Sequence, residues 1–195
     1  MNDRLNEILE EIRDLEKSIQ DEMKRRQDEL RYKIRKGKVF FEEEVLQLQK
    51  KYSFPVVRYV LGARLSILLT APVIYAMFLP AVLMDFGISV YQIVCFRVYG
   101  IPKVRRGEHF FIDHHYLQYL NSIEKFNCIY CSYFNGLASY ISEIASRTEQ
   151  YWCPIKHASA NAKRHSRYHH FVDYGDGEAY RTRLAEIRKE YDDME

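Results

Sequence analysis

Apolar residues recur at intervals of three and four along the first part of the chain: Leu5, Ile8, Ile12, Leu15 and Ile19. That spacing makes one face of a helix apolar, and it is the seam of a coiled coil. The seam thins through Met23, Leu30 and Ile34, which predicts a helix over residues 3–35 broken by Gly37. A second amphipathic helix is predicted from Val39 to Lys51. It sets Phe40, Phe41, Val45, Leu46 and Leu48 beside Glu42, Glu43 and Glu44, and Pro55 ends it. The pattern then changes. From Leu65 to Met84 there are 20 residues without a charge, about what a helix needs to cross a hydrocarbon core of ~30 Å. Beyond Asp85, Phe86 to Phe96 adds 11 more uncharged residues. Helical spacing returns over Asp113–Asn127 and Gly136–Gln150, read as an αα-hairpin whose turn holds Cys128–Ser132. A polar, His-rich tail follows Ala158 and ends in a charged helix, Gly177 to Tyr191.

The expected fold is therefore mainly α. Residues 1–51 form amphipathic and coiled-coil helices, and 56–98 a membrane-embedded helical segment. Residues 99–158 form a helical hairpin with a Cys/His cluster, and 159–195 a polar tail. Little else on the first helix is apolar, so its seam is expected to join copies of the chain through residues 5–19.

Charge bears on the topology. Lys50, Lys51, Arg58 and Arg64 precede the apolar segment, and Arg97, Lys103, Arg105 and Arg106 follow it. Basic flanks favour the cytoplasm, so both ends are placed there and the segment is read as a hairpin. Pro72 and Pro80 permit bends, and Met84–Gly87 supplies the turn. Asp85 then sits near the far surface; at depth it would be a functional candidate. The net charge of +2 hides a segregation: residues 1–22 sum to −5 and residues 24–38 to +6. Such blocks form solvated helix faces, and the basic one also suits anionic lipid headgroups. Tyr91, Phe96 and Tyr99 lie where an interfacial belt would.

The candidate chemistry is a metal site. Cys128-x2-Cys131 and Cys153-x3-His157 together supply three thiolates and an imidazole, the ligand set of a closed tetrahedral zinc centre; iron or an iron–sulfur cluster is the alternative. A straight helix over Gly136–Gln150 would be about 22 Å long, with Cys131 and Cys153 at its opposite ends. A shared ion therefore needs a bend at Asn135–Gly136, ligands from two chains, or a different set. Asp113, His114 and His115 beside Cys153 and His157 are that different set, and it leaves a coordination position open for catalysis. With no secretory signal pattern, the four cysteines are expected to stay reduced on the cytoplasmic side. His165, His169 and His170 with His114 and His115 fall short of the histidine boxes of membrane di-iron desaturases, since the chain has seven histidines in all. There is no phosphate-binding glycine loop, serine-nucleophile elbow or His-Glu-x-x-His motif. Lys103, Arg105 and Arg106 beside an apolar span read as lipid contacts, and no nucleic-acid partner is expected.

Within Tyr99–Ala158, the runs Asn127-Cys128-Ile129-Tyr130-Cys131-Ser132-Tyr133 and Glu149-Gln150-Tyr151-Trp152-Cys153-Pro154-Ile155-Lys156-His157-Ala158 resemble an uncharacterised bacterial family of membrane-associated proteins. The resemblance implies a bacterial origin and carries over no catalytic residue. The expectation is a zinc-binding, oligomeric scaffold anchored in a bacterial inner membrane, its soluble parts in the cytoplasm. A membrane metallo-enzyme or electron-transfer protein, or a homo-oligomeric pore around Asp85, are the alternatives.

Overall fold

The computed structural model describes residues 2–35, 38–159 and 165–191, with side chains from residue 11 onward. The chain is mainly helical. It divides into two compact units, Met1–Gly62 with Asp113–Cys128, and Ala63–Ile112 with Ile129–Glu195.

In the first unit, α1 (Asn2–Glu29) is a charged helix steadied by pairs such as Arg25–Glu22 at 2.7 Å and Arg26–Glu22 at 3.2 Å. It stops earlier than its apolar seam suggests. Arg31 takes a left-handed backbone (φ +51°), uncommon for a residue with a Cβ, and turns the chain into a β-hairpin. Strands β1 (Tyr32–Arg35) and β2 (Lys38–Phe41) pair antiparallel with Tyr32 opposite Phe41 and Ile34 opposite Val39. The helices expected over 3–35 and 39–51 thus give up Tyr32–Arg35 and Lys38–Phe41 to strands. Tyr, Ile, Val and Phe alternating with Lys and Arg have period two, and aromatic and β-branched residues suit a pleated ribbon. Gly37, the expected breaker, lies outside the described residues. Helix α2 (Glu43–Lys51) places Glu43 and Glu44 in its first turn and Lys50 and Lys51 in its last, complementing the helix dipole. A short α3 (Val56–Gly62) follows Pro55.

The helix expected from Asp113 begins later. Residues His114–Tyr116 make one 3-10 turn, and α7 starts at Ser122. Asn121 fixes that start. Its Oδ1 accepts from the backbone N–H groups of Ile123 (3.0 Å) and Glu124 (3.1 Å), while the Glu124 carboxylate accepts from Asn121 N–H at 2.9 Å. This reciprocal capping box satisfies donors that a bare helix end would leave open.

In the second unit, α4 (Leu65–Ala76), α5 (Phe78–Tyr91), a π-helical turn (Gln92–Phe96) and α6 (Arg97–Tyr99) join into one apolar helix of 35 residues. Pro80 has no N–H for the Ala76 carbonyl, so the ladder tightens beside it, with Met77 N–H bonded to the Ile74 carbonyl at 3.2 Å. The helix runs on regardless. Met84–Gly87, expected to turn, lies inside α5, so the segment does not fold back on itself as a hairpin. A proline costs a helix one bond and a kink but does not reverse it. The helix ends at Gly100, whose φ of +71° suits a residue without a side chain.

From Gly100 to Ile112 an extended strap runs back along the apolar helix. Val104 meets Gln92, and Arg106 meets Asp85. Helix α7 (Ser122–Trp152) then lies parallel to the apolar helix: Tyr130 reaches Ile74, Tyr140 meets Gln92, and Tyr151 stacks on Tyr99 at 4.9 Å. Phe96, Ile101, Val104, Tyr140, Ile144 and Tyr191 form the buried core where helix, strap and α7 meet.

The αα-hairpin is thus replaced by one helix, with Cys128–Ser132 and Asn135–Gly136 in its interior. Gly136 does not break it. The strap passes so close that a Cβ there would sit 2.8 Å from Phe110 Cδ1 and 2.9 Å from the His109 carbonyl oxygen. Glycine at mid-helix costs roughly 0.5–1 kcal/mol against alanine, offset here by the close approach. The C-terminal segment also differs from an exposed tail. It pairs Val172 with Ile155, makes a 3-10 turn at Ser166–His170, and ends in α8 (Gly177–Ile187), capped by Asp176. Phe171, Val172, Ile187 and Tyr191 are buried.

Gly136→Ala is expected to lower stability by about 1–3 kcal/mol, because the His109 backbone cannot yield easily. Gly87→Ala, with nothing within 4 Å of the added Cβ, is expected to be neutral or slightly stabilising. Thermal unfolding of the two variants in detergent checks the contrast; equal shifts would refute the close approach.

Candidate functional site

The feature that stands out chemically is a charged node on an otherwise apolar helix. Asp85 points to the side of α5 that faces the strap and α7. Its side chain is 16% exposed. Arg106, brought by the strap, grips both carboxylate oxygens: Nη2 donates to Oδ2 at 3.0 Å and Nη1 donates to Oδ1. The Tyr133 hydroxyl donates to Oδ2 at 3.0 Å, and the Ser89 hydroxyl lies 3.5 Å from Oδ1. The guanidinium of Arg106 also lies over two rings, Phe110 at 4.3 Å and Tyr140 at 5.2 Å. A planar, delocalised cation suits this double role; a lysine would lose both the fork and the stacking. Burial, and then the bond to Asp85, push the Tyr133 phenol above its ordinary value, so it remains a donor. About two turns along, Gln92 is almost fully buried and ties the strap to α7, accepting from Val104 N–H at 2.7 Å and donating to the Tyr140 hydroxyl at 2.8 Å.

Of the polar residues singled out around the apolar segment, only Asp85 and Arg106 meet. Arg58 lies over the Phe54 ring at 5.3 Å, Arg105 makes an exposed pair with Glu108 at 3.7 Å, and Arg64 and Lys103 are exposed. The pore reading needs a carboxylate open to a lumen, and that of Asp85 is committed to protein donors.

The proposed metal ligands are not assembled. Cys128 and Cys131 lie one turn apart on α7, but Cys153 follows that helix's last residue, so Cys131 and Cys153 are separated by roughly 33 Å of helix at ~1.5 Å per residue. They cannot surround one ion within a chain. The bend that would have joined them is absent because Gly136 is an approach point and not a hinge. Asp113, His114 and His115 fall in the first unit, and Cys153 and His157 in the second. Among the described residues no group of three or more His, Cys, Asp or Glu is placed to hold a metal. Burial and the nearby Glu149 carboxylate raise the Cys153 thiol above its ordinary value, which disfavours the thiolate that a metal or a nucleophilic step requires.

A second polar cluster was not foreseen. Arg147 bonds Glu143 at 2.8 Å and the Pro102 carbonyl at 2.8 Å. Glu143 accepts from the Ser166 hydroxyl at 2.8 Å. Gln150, fully buried, donates to the carbonyls of Ile187 and Glu190 at 2.8 Å each and accepts from Arg167, which is itself buried. Tyr191 donates to the Arg147 carbonyl at 3.1 Å. His165 and His170 lie 3.1 Å from the carboxylates of Glu149 and Glu190 respectively, and His165 Nδ1 accepts from the Arg167 N–H at 3.2 Å. The available signal was Phe171-Val172 and Ile187, apolar residues that a solvated tail does not need.

Comparison with family models, with curated proteins and with solved structures gave no match to this chain.

Burial acts to raise the Glu143 pKa, but bonds from Arg147 and Ser166 outweigh it and hold the carboxyl below its ordinary value. A depressed carboxylate stabilises the fold above its unfolded value of about 4.3, and that contribution is lost as pH falls through the lower folded value. Burial pushes the Tyr191 phenol up to about 12, so its contribution is complete below its unfolded value and is lost as pH rises toward 12. Amide exchange over residues 165–191 should accelerate at both extremes, and Glu143→Gln should shift the acid limb alone. An unaltered acid limb would exclude Glu143 as its source.

Proposed function

We propose that this protein is a membrane-anchored, self-associating scaffold. The observation that carries the reading is the apolar helix Leu65–Tyr99, long and apolar enough to cross a membrane, with only 6% of its most apolar window buried. Leu65, Leu69, Val73, Leu79, Leu83, Phe86, Val90, Val94 and Val98 are all exposed along it. A contiguous apolar surface of this extent calls for lipid or a partner. The node is consistent with lipid as the neighbour. A lone carboxylate on such a helix would be costly; Arg106 balances its charge and Tyr133 donates a hydrogen bond to it, both from within the chain.

The chain's path bears on the topology. Residues on both sides of the excursion, Met1–Gly62 and Asp113–Cys128, belong to one unit, and Gln118 N–H bonds the Gln49 side chain at 3.0 Å. Apart from one 3-10 turn at Arg106–Glu108 the strap is irregular, and it carries Lys103, Arg105 and Glu108, all exposed; hydrocarbon does not tolerate open backbone and exposed charge of that kind. We therefore read the apolar helix as seated along the interfacial zone, with strap and α7 on its aqueous side and both termini on one face. Helix α1 supplies the self-association: Ile12, Leu15, Ile19 and Met23 are exposed along one stripe. Metal is not needed for this role.

High salt is expected to leave the protein on membranes and detergent to release it, with reporter fusions at the two termini responding on the same face. Ile12→Asp with Leu15→Asp should lower the oligomeric mass in detergent by light scattering. Release by salt alone would refute the anchor, reporters on opposite faces the interfacial seating, and an unchanged mass the α1 seam.

A further inference from the structure

The β-hairpin has two unlike faces. Tyr32, Ile34, Val39 and Phe41 alternate onto one, with the Tyr32 and Phe41 rings in contact at 5.6 Å. Lys33, Arg35, Lys38 and Phe40 alternate onto the other, and all four are exposed, Phe40 at 53%. The bases on this face are unspent. Arg31, at the foot of the hairpin, is neutralised by Glu44 at 3.1 Å and Glu42 at 3.6 Å. Lys33, Arg35 and Lys38 form no ion pair among the described residues. Between the hairpin and the end of α1 lies a cavity of about 340 Å³, whose lining sets Arg31, Lys33 and Arg35 against Asp28 and Glu42 and includes Phe40.

Three free cations around an exposed phenylalanine, beside a cavity, have a definite chemical complement. The cations attract phosphate oxygens, and an aromatic ring among them enters the boundary between headgroups and acyl chains. A nucleic acid would also answer the charge. What favours lipid is the chain that follows: Phe54, Val57 and Leu61 are exposed in and before α3, and the apolar helix begins three residues after Gly62. We propose that the Lys33–Arg35–Lys38–Phe40 face of the hairpin docks on the phosphate headgroups of an anionic bilayer. This deepens the anchored reading by giving the first unit its own lipid contact, selective for charge where the apolar helix is not.

The test uses the full chain reconstituted into vesicles. Trp152, the single tryptophan, is first replaced by Trp152→Phe, and a reporter is then introduced as Phe40→Trp or, separately, as Leu79→Trp. Brominated acyl chains quench tryptophans that reach the hydrocarbon boundary. In vesicles of phosphatidylcholine with phosphatidylglycerol, the Phe40→Trp reporter should be quenched. In phosphatidylcholine alone, or at high salt, quenching should fall away. Each of Lys33→Glu, Arg35→Glu and Lys38→Glu should weaken docking by roughly fivefold or more at low salt, since each base contributes about 1 kcal/mol at an anionic surface. The salt arm removes the attraction without a substitution, so a variant that folds poorly does not decide the outcome. Equal quenching of the Phe40→Trp reporter with and without anionic lipid, or none in either, overturns the proposal. So does its protection by RNA in preference to anionic vesicles. The Leu79→Trp reporter separates the two readings. If it alone is quenched, the anchor stands and the hairpin contact fails; if the Phe40→Trp reporter alone is quenched, the reverse holds.

Discussion

The second unit is organised around one cation. Arg106 comes from the strap, holds a carboxylate of the apolar helix, and lies over one ring of the strap and another of α7. Without it, Asp85 would be an unbalanced charge on the least polar helix of the chain, and the strap would lose its fixed point midway along its return. Gln92 repeats the arrangement in neutral form about two turns further on, tying the same three segments. The parallel packing of two long helices follows from these cross-links. Helices joined by a short loop would run antiparallel, and only a connection that travels back the full distance lets them run side by side in the same sense.

How much of this was legible depends on the distance over which each signal acts. The apolar helix was plain from Leu65–Met84, because twenty uncharged residues leave few alternatives. The start of α7 was also written locally, in Asn121-Ser122-Ile123-Glu124, and was overlooked because apolar spacing extends upstream through Leu117 and Leu120. The β-hairpin was obscured in the same way: Ile34 continues the seam of α1 in register, while the period-two alternation beginning at Tyr32 competes with it. Gly136 was misread for a different reason. Sequence marks a glycine as special without saying why. Here the cause lies in His109 and Phe110, on a strap whose route no local pattern reveals.

The Cys/His set was a candidate on spacing alone, and its members are distributed by a helix that spacing could not foresee. Cys128 and Cys131 share a turn of α7, while Cys153 lies beyond its far end. What the second unit concentrates instead is buried polarity: Arg147, Arg167 and Gln150 hold the C-terminal segment on α7 through carbonyls and a carboxylate. Buried networks of this kind are worth keeping only when every member is satisfied, and they specify one docked arrangement over the many that apolar contact alone would allow.

The return strap has a consequence for biosynthesis. Tyr133, which caps the Asp85 carboxylate, is 48 residues downstream of it. At about 5–20 residues per second the ribosome needs roughly 2–10 s to close that gap. Throughout that interval the apolar helix is complete but has no α7 to lie against, and its acid lacks part of its final shell. The nascent chain therefore carries this helix with its whole apolar surface uncovered before its own partner exists. Order of emergence thus leaves bare, for those seconds, a surface that the folded protein later covers along one stripe only.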